Sequence, residues 1–156
     1  MPDLLKSRYR TPGESPGFLL WQVTNLWQRR QRAALKPLGL THVQFVLLAG
    51  IVWLSRENEV VTQSRLAHHA QTDPMMTSQV VRILEQKGLV VRTPHPRDTR
   101  ANCLRATPQG MELTRQAMLL VEETDEAFFS ALQEPPSHLV RLLRQLVEAG
   151  KPVVAD

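Results

Sequence analysis

The chain has 156 residues, 42% of them hydrophobic and 22% charged, which is enough to bury a core as one domain and too balanced for a disordered segment. Its formal charge of +4 favours an anionic partner without naming one, and a single cysteine, Cys103, excludes an intrachain disulfide and a multi-cysteine zinc site. The longest apolar run, Phe45 to Leu54, is about half a membrane span and no signal peptide opens the chain, so no membrane partner is expected and a cytoplasmic location is the default.

The first dozen residues, rich in Pro, Arg and Gly, read as a loose arm. From about Ser15 to Leu38, Leu19, Leu20, Val23, Leu26, Trp27 and Ala34 recur at helical spacing, and Gly39 supplies a stop. Thr41 caps a second helix to about Arg56, with Gln44 completing a capping-box pattern. Thr62 starts a short third helix, "TQSRLAHHA", which "QTD" breaks. Asp73 followed by Pro74 pairs a capping carboxylate with a proline at the first helical position, so a fourth helix runs from there to a stop at Gly88. Two strands, about Leu89 to Thr93 and Arg100 to Ala106, flank a loop holding two prolines, His95, Arg97, Asp98 and Arg100. Thr107-Pro108 opens a long helix to about Gln133. After Pro135 and Pro136, a last amphipathic helix carries Leu139 to Val147 and is stopped by Gly150 and Pro152.

Charge is unevenly spread along these elements. Thr62 to Ala106 holds seven Lys/Arg against three Asp/Glu, whereas Thr107 to Asp156 holds four against eight. A polyanion therefore belongs with the middle of the chain. There the order is helix, short helix, turn, helix and hairpin, that of a winged helix-turn-helix, in which the second helix of the turn lies in the DNA major groove. On the fourth helix Met76, Val80, Ile83 and Leu84 can share an inward face, leaving Met75, Ser78, Gln79, Arg82 and Gln86 on the other. Ser, Gln and Arg are side chains that read base edges or hold phosphates. The cationic hairpin tip suits phosphate or a narrow minor groove, with Asp98 able to hold an arginine in place.

The segment "LTHVQFVLLAGI", followed by "VTQSRLAHHAQTDPMMTSQVVRILEQKGLVVRTPHPRDTRANCLRATPQGMEL", resembles the MarR family of bacterial transcription regulators from about Leu38 to Leu113. Its most specific parts are "LEQKGLVVR", "PRDTRA" as the family's Asp-x-Arg wing, and "ATPQG" opening the next helix. The resemblance implies a mainly α protein with a small β-wing, a single domain in which residues 41–107 form the DNA-binding module. Residues 1–38 and 108–150 would form helices that interlock in a homodimer over a palindromic operator in double-stranded DNA. It places Thr77, Ser78, Gln79, Arg82, Arg97, Asp98 and Arg100 at the DNA, with Ser78 and Gln79 reading bases. It also implies an effector pocket where the winged module meets the dimerisation helices. Trp21, His42 and Phe45 are expected to line it, an apolar surface with one titratable group, suited to a small aromatic acid.

No cofactor is implied. His68 and His69 are adjacent, so on a helix they point about 100° apart and suit a shared metal poorly. An enzyme reading would combine a histidine with Asp98 or Cys103, yet no phosphate loop or nucleophile elbow accompanies them. The other rival is a winged helix used only for protein contact. Salt-dependent duplex binding separates it from a regulator.

Overall fold

A computed structural model describes residues 6–57 and 60–151. Six helices and one hairpin follow in the expected order: α1 (Pro16–Leu35), α2 (His42–Leu54), α3 (Gln63–Ala70), α4 (Pro74–Gln86), β1 (Val90–Pro94), β2 (Asn102–Ala106), α5 (Pro108–Phe129) and α6 (Pro136–Gly150). The differences from expectation are at the ends. α1 and α2 each finish in a 3-10 turn, at Lys36–Leu38 and Ser55–Glu57, and α5 stops four residues before Gln133. Part of the N-terminal arm and Pro152 lie outside the described residues, while Pro12–Glu14 forms a short 3-10 turn.

The helix starts follow from local chemistry. Thr41 accepts the Gln44 N–H while the Gln44 side chain accepts the Thr41 N–H, closing the capping box. Thr62 and Thr107 cap α3 and α5 through the N–H groups of Arg65 and Gly110. Gln71 ends α3 in the left-handed region, at φ 52°, a position that more often takes glycine or asparagine.

The core is centred on α2, whose Leu47, Leu48 and Ile51 are fully buried. Around it pack α1, α3, α4, α5 and β2. β1 and β2 pair antiparallel with Val90 opposite Ala106 and Pro94 opposite Asn102. The Leu104 N–H donates to the Val61 carbonyl at 2.8 Å, so the segment before α3 extends the hairpin on one edge.

At the base of the hairpin the chain approaches itself closely. The Thr107 N–H donates to the Leu89 carbonyl at 3.0 Å and the Thr107 hydroxyl to the Gly88 carbonyl at 2.7 Å. Gly88 has φ 71°, which turns the chain from α4 into β1. One turn into α5, Gly110 lies so near that a Cβ there would fall well inside contact with the Leu89 carbonyl. A methyl at this point must displace backbone rather than a flexible side chain. Gly110→Ala is therefore expected to cost about 3 kcal/mol, the upper end of the usual range for overpacking, read from the urea midpoint at unchanged slope. A loss under about 1 kcal/mol would show that α5 can lift from the hairpin freely.

α6 is different from the other long helices. None of its residues is buried, and Val140, Leu142, Leu143, Leu146 and Val147 are all exposed. The first half of α1 is similar, exposing Phe18, Leu19, Leu20, Trp21, Val23 and Leu26. Among the described residues no single helix is long and apolar enough to cross a membrane.

Candidate nucleic-acid interface

α4 is held at both ends. At its start the Asp73 carboxylate accepts the backbone N–H groups of Met75 and Met76 at 2.9 and 3.0 Å, which satisfies two donors that the helix itself cannot. At its end the Lys87 ammonium donates to the Gly39 carbonyl and, at 3.0 Å, to Gln44 Oε1, fixing α4 against the turn between α1 and α2. Arg92 on β1 donates through Nε to Glu85 of α4 at 2.9 Å, tying the hairpin to the same helix. Lys87 and Arg92 thus tie elements of the fold together, although Arg92 Nη2 is buried with no partner among the described residues. Neither role is evident from the sequence, because both partners are brought in by the tertiary arrangement.

The inward face of α4 is Thr77, Val80, Val81 and Leu84. This corrects the expected face, since Met76 and Ile83 are each 38% exposed. Both sets fit helical spacing. What decides is Thr77, whose hydroxyl donates to the Asp73 carbonyl and lies 2.8 Å from the Thr72 hydroxyl. With its polar atom satisfied locally, a threonine can occupy the inner stripe. Thr77 is consequently fully buried and locks the turn, so it is not on a face that a duplex could touch. Gln79 and Arg82 are exposed and Ser78 half-buried, with Met75 beside them at 72% exposure. These four share one stripe at i, i+3, i+4 and i+7 spacing.

The wing tip is ordered by side chains acting on backbone. His95 Nδ1 accepts the N–H groups of both Arg97 and Asp98 at 3.0 Å. Asp98 Oδ1 accepts the Arg100 backbone N–H at 2.9 Å. Asp98 therefore braces the loop through the Arg100 backbone, not by clasping a guanidinium. Arg97 and Arg100 are exposed, and neither carries an ion pair among the described residues. His95 gains a bracing role that is not expected from the sequence. A histidine two and three residues before the paired N–H groups is the local signal for it.

The expected effector residues are not gathered into one pocket. Phe45 is only 5% exposed and belongs to the core, and Trp21 is 67% exposed on the open side of α1. The ring against His42 is Trp27, edge-on at 4.9 Å between centroids. Trp27 Nε1 and Gln31 Nε2 both donate to Asp125 Oδ1, at 2.7 and 2.6 Å, so a polar cluster joins α1, α2 and α5. Gln31 is fully buried and its Oε1 has no partner among the described residues. A cavity of about 520 Å³ lies elsewhere, under the wing, and none of Trp21, His42 and Phe45 lines it. No group of three or more His, Cys, Asp or Glu that could hold a metal occurs among the described residues.

Residues 40–101 match the family model described as the MarR family. The chain is 45% identical over 133 residues to an uncharacterized HTH-type transcriptional regulator, YdcH, of Bacillus subtilis (strain 168), covering 85% of this chain and 90% of that one. It is 30% identical to the HTH-type transcriptional repressor Rv2887 of Mycobacterium tuberculosis (strain H37Rv), covering 83% and 91%. Among solved structures, that of CouR from Rhodococcus jostii RHA1 bound to p-coumaroyl-CoA aligns with a TM-score of 0.81 at 26% identity, over 95% of this chain and 100% of that one.

Burial lowers the pKa of His42 from the usual 6.5, opposed by the nearby Asp125 carboxylate and reinforced by Arg32. The unfolded chain then binds a proton more readily than the folded one as pH falls through the histidine range. Stability contributed here is fully present above the unfolded value and is lost as pH drops below it toward the lowered native value. Wild-type protein is expected to lose more melting temperature between about pH 7 and pH 5 than His42→Gln. Parallel curves for the two would show that the joint does not feel this proton.

Proposed function

The chain belongs to the MarR family of helix-turn-helix transcriptional regulators, and from that premise we propose that it is a repressor that binds a palindromic operator as a homodimer and is released by a small aromatic or anionic effector. Proteins of this kind regulate transcription and are not enzymes. A cytoplasmic location goes with that role. The observation that carries the proposal is the stripe of Ser78, Gln79 and Arg82 on a helix fixed at both ends, next to a wing where Arg97 and Arg100 are exposed and their backbone N–H groups are held by His95 and Asp98.

On this basis residues 41–107 are the DNA-binding module and residues 1–38 and 108–150 the dimerisation helices. Support for the dimer is the apolar surface left open on α1 and α6 of a single copy. Apolar surface of this kind marks a protein contact and would be covered by a second chain. Repression is supported by the relative named as a repressor. Release by an effector is supported by the structure of CouR with p-coumaroyl-CoA, and by the buried Gln31 Oε1 at the α1–α2–α5 joint, an acceptor that a ligand hydroxyl could satisfy. His42 and Trp27 would form its aromatic wall, with Trp21 and Phe45 outside it.

Ser78 and Gln79 would read base edges, Arg82 bases or backbone, and Arg97 and Arg100 phosphate or the minor groove, with Asp98 as brace. Selection of bound duplexes from a random library is expected to return a two-fold symmetric site. On that site Gln79→Ala should cost about 1–3 kcal/mol and blur one base position per half-site. Arg97→Ala should weaken all duplexes evenly and reduce the salt slope by about one unit per half-site. Salicylate at millimolar concentration should release the selected duplex, less so from His42→Ala. Equal loss on selected and random DNA for both arginine and glutamine variants would remove Gln79 as a reader.

A further inference from the structure

The cavity of about 520 Å³ beneath the wing has no part in the proposed DNA contacts or in the α1–α2–α5 joint. Its walls come from the last turns of α2, the extended pair Val60–Val61, both wing strands and the first turn of α5. The volume falls within the range of about 300–1,000 Å³ typical of small-molecule sites. Its lining is more apolar than polar, with Val52, Val60, Pro94 and Met111 among the contributors. Ser55, which also lines it, spends its hydroxyl on the Ile51 carbonyl at 2.7 Å.

Two cations border this apolar space, Arg56 and Arg105. Arg56 is held in place, with its guanidinium 4.5 Å from the centre of the Trp53 ring. Arg105 is exposed and carries no ion pair among the described residues. A planar, permanently charged guanidinium matches a carboxylate in two parallel hydrogen bonds, and does so best where neighbouring walls exclude water. Apolar walls alone would accept any hydrophobe. The two bordering arginines favour one that ends in an anion.

We infer that this cavity is a second ligand site, separate from the α1–α2–α5 joint, which takes an apolar monocarboxylate with its body against Val52, Val60, Pro94 and Met111 and its head on Arg56 and Arg105. The site's size favours a body larger than a single aromatic ring. Because Pro94 and Leu104 belong to the wing strands, the occupant would rest directly against the hairpin.

Equilibrium dialysis of the full chain with labelled decanoate, below its micellar concentration, tests this. One saturable site per chain is expected, with decanol bound at least about tenfold more weakly, the equivalent of roughly 1.4 kcal/mol. The double variant Arg56→Gln/Arg105→Gln should lose decanoate affinity by a similar factor while its decanol affinity stays as in wild type. Absence of saturable binding, equal affinity for decanol and decanoate, or a double variant that still prefers decanoate would each overturn the assignment. The decanol comparison uses wild-type protein, so its outcome does not depend on how the variant folds.

Discussion

The exposed face of α4 and the wing are positioned from one close contact, where the first turn of α5 sits on the backbone between α4 and β1. Gly88 turns the chain, Leu89 offers its carbonyl to Thr107, and Gly110 leaves room for the approach. Three elements meet there: the helix with the exposed Gln79 and Arg82, the hairpin with Arg97 and Arg100, and the longest helix of the fold. Backbone hydrogen bonds and a missing side chain fix that junction, so α4 and the hairpin hang from α5 as one unit. The ties Lys87–Gly39 and Arg92–Glu85 then set the pitch of α4 and the hairpin on it.

From the same junction α5 runs to Asp125, which collects Trp27 and Gln31 of α1. Under the proposed function, a movement of α1 against α5 would reach α4 through α5 and its hydrogen-bonded ends. Polar groups buried at such a joint are costly when unpaired, and Gln31 Oε1 has no partner among the described residues. The lowered proton affinity of His42 belongs to the same low-dielectric setting. Regulation through this joint requires only a ligand that binds one arrangement better than another, by about 1.4 kcal/mol for each tenfold shift in occupancy.

Much of this architecture is legible in the residues, because the signals are local. Thr41 with Gln44, Asp73 with Pro74 and Thr107 with Pro108 each declare a helix start, and each start lies where its cap places it. The inner face of α4 is not legible in the same way. Choosing Thr77 over Met76 depends on a hydroxyl finding the Asp73 carbonyl and Thr72, a contact that periodicity does not encode. Likewise Trp27 and Trp21 are both apolar, helical and six residues apart, and only the packing of α5 and α2 on α1 distinguishes the one beside His42. The cavity under the wing involves five separated segments and leaves no trace in any of them.

In a single chain α6 has no buried residue, and under the proposed function a second copy would cover it. Sedimentation equilibrium at micromolar concentration, alone and with a saturating selected duplex, addresses this directly. A dimer closed by α1 and α6 predicts twice the chain mass of 17.7 kDa in free solution and two chains per duplex in the complex. Removing the residues of α6 should then leave the protein monomeric. A full-length protein that sediments as one chain, and binds its best duplex as one chain, would contradict it.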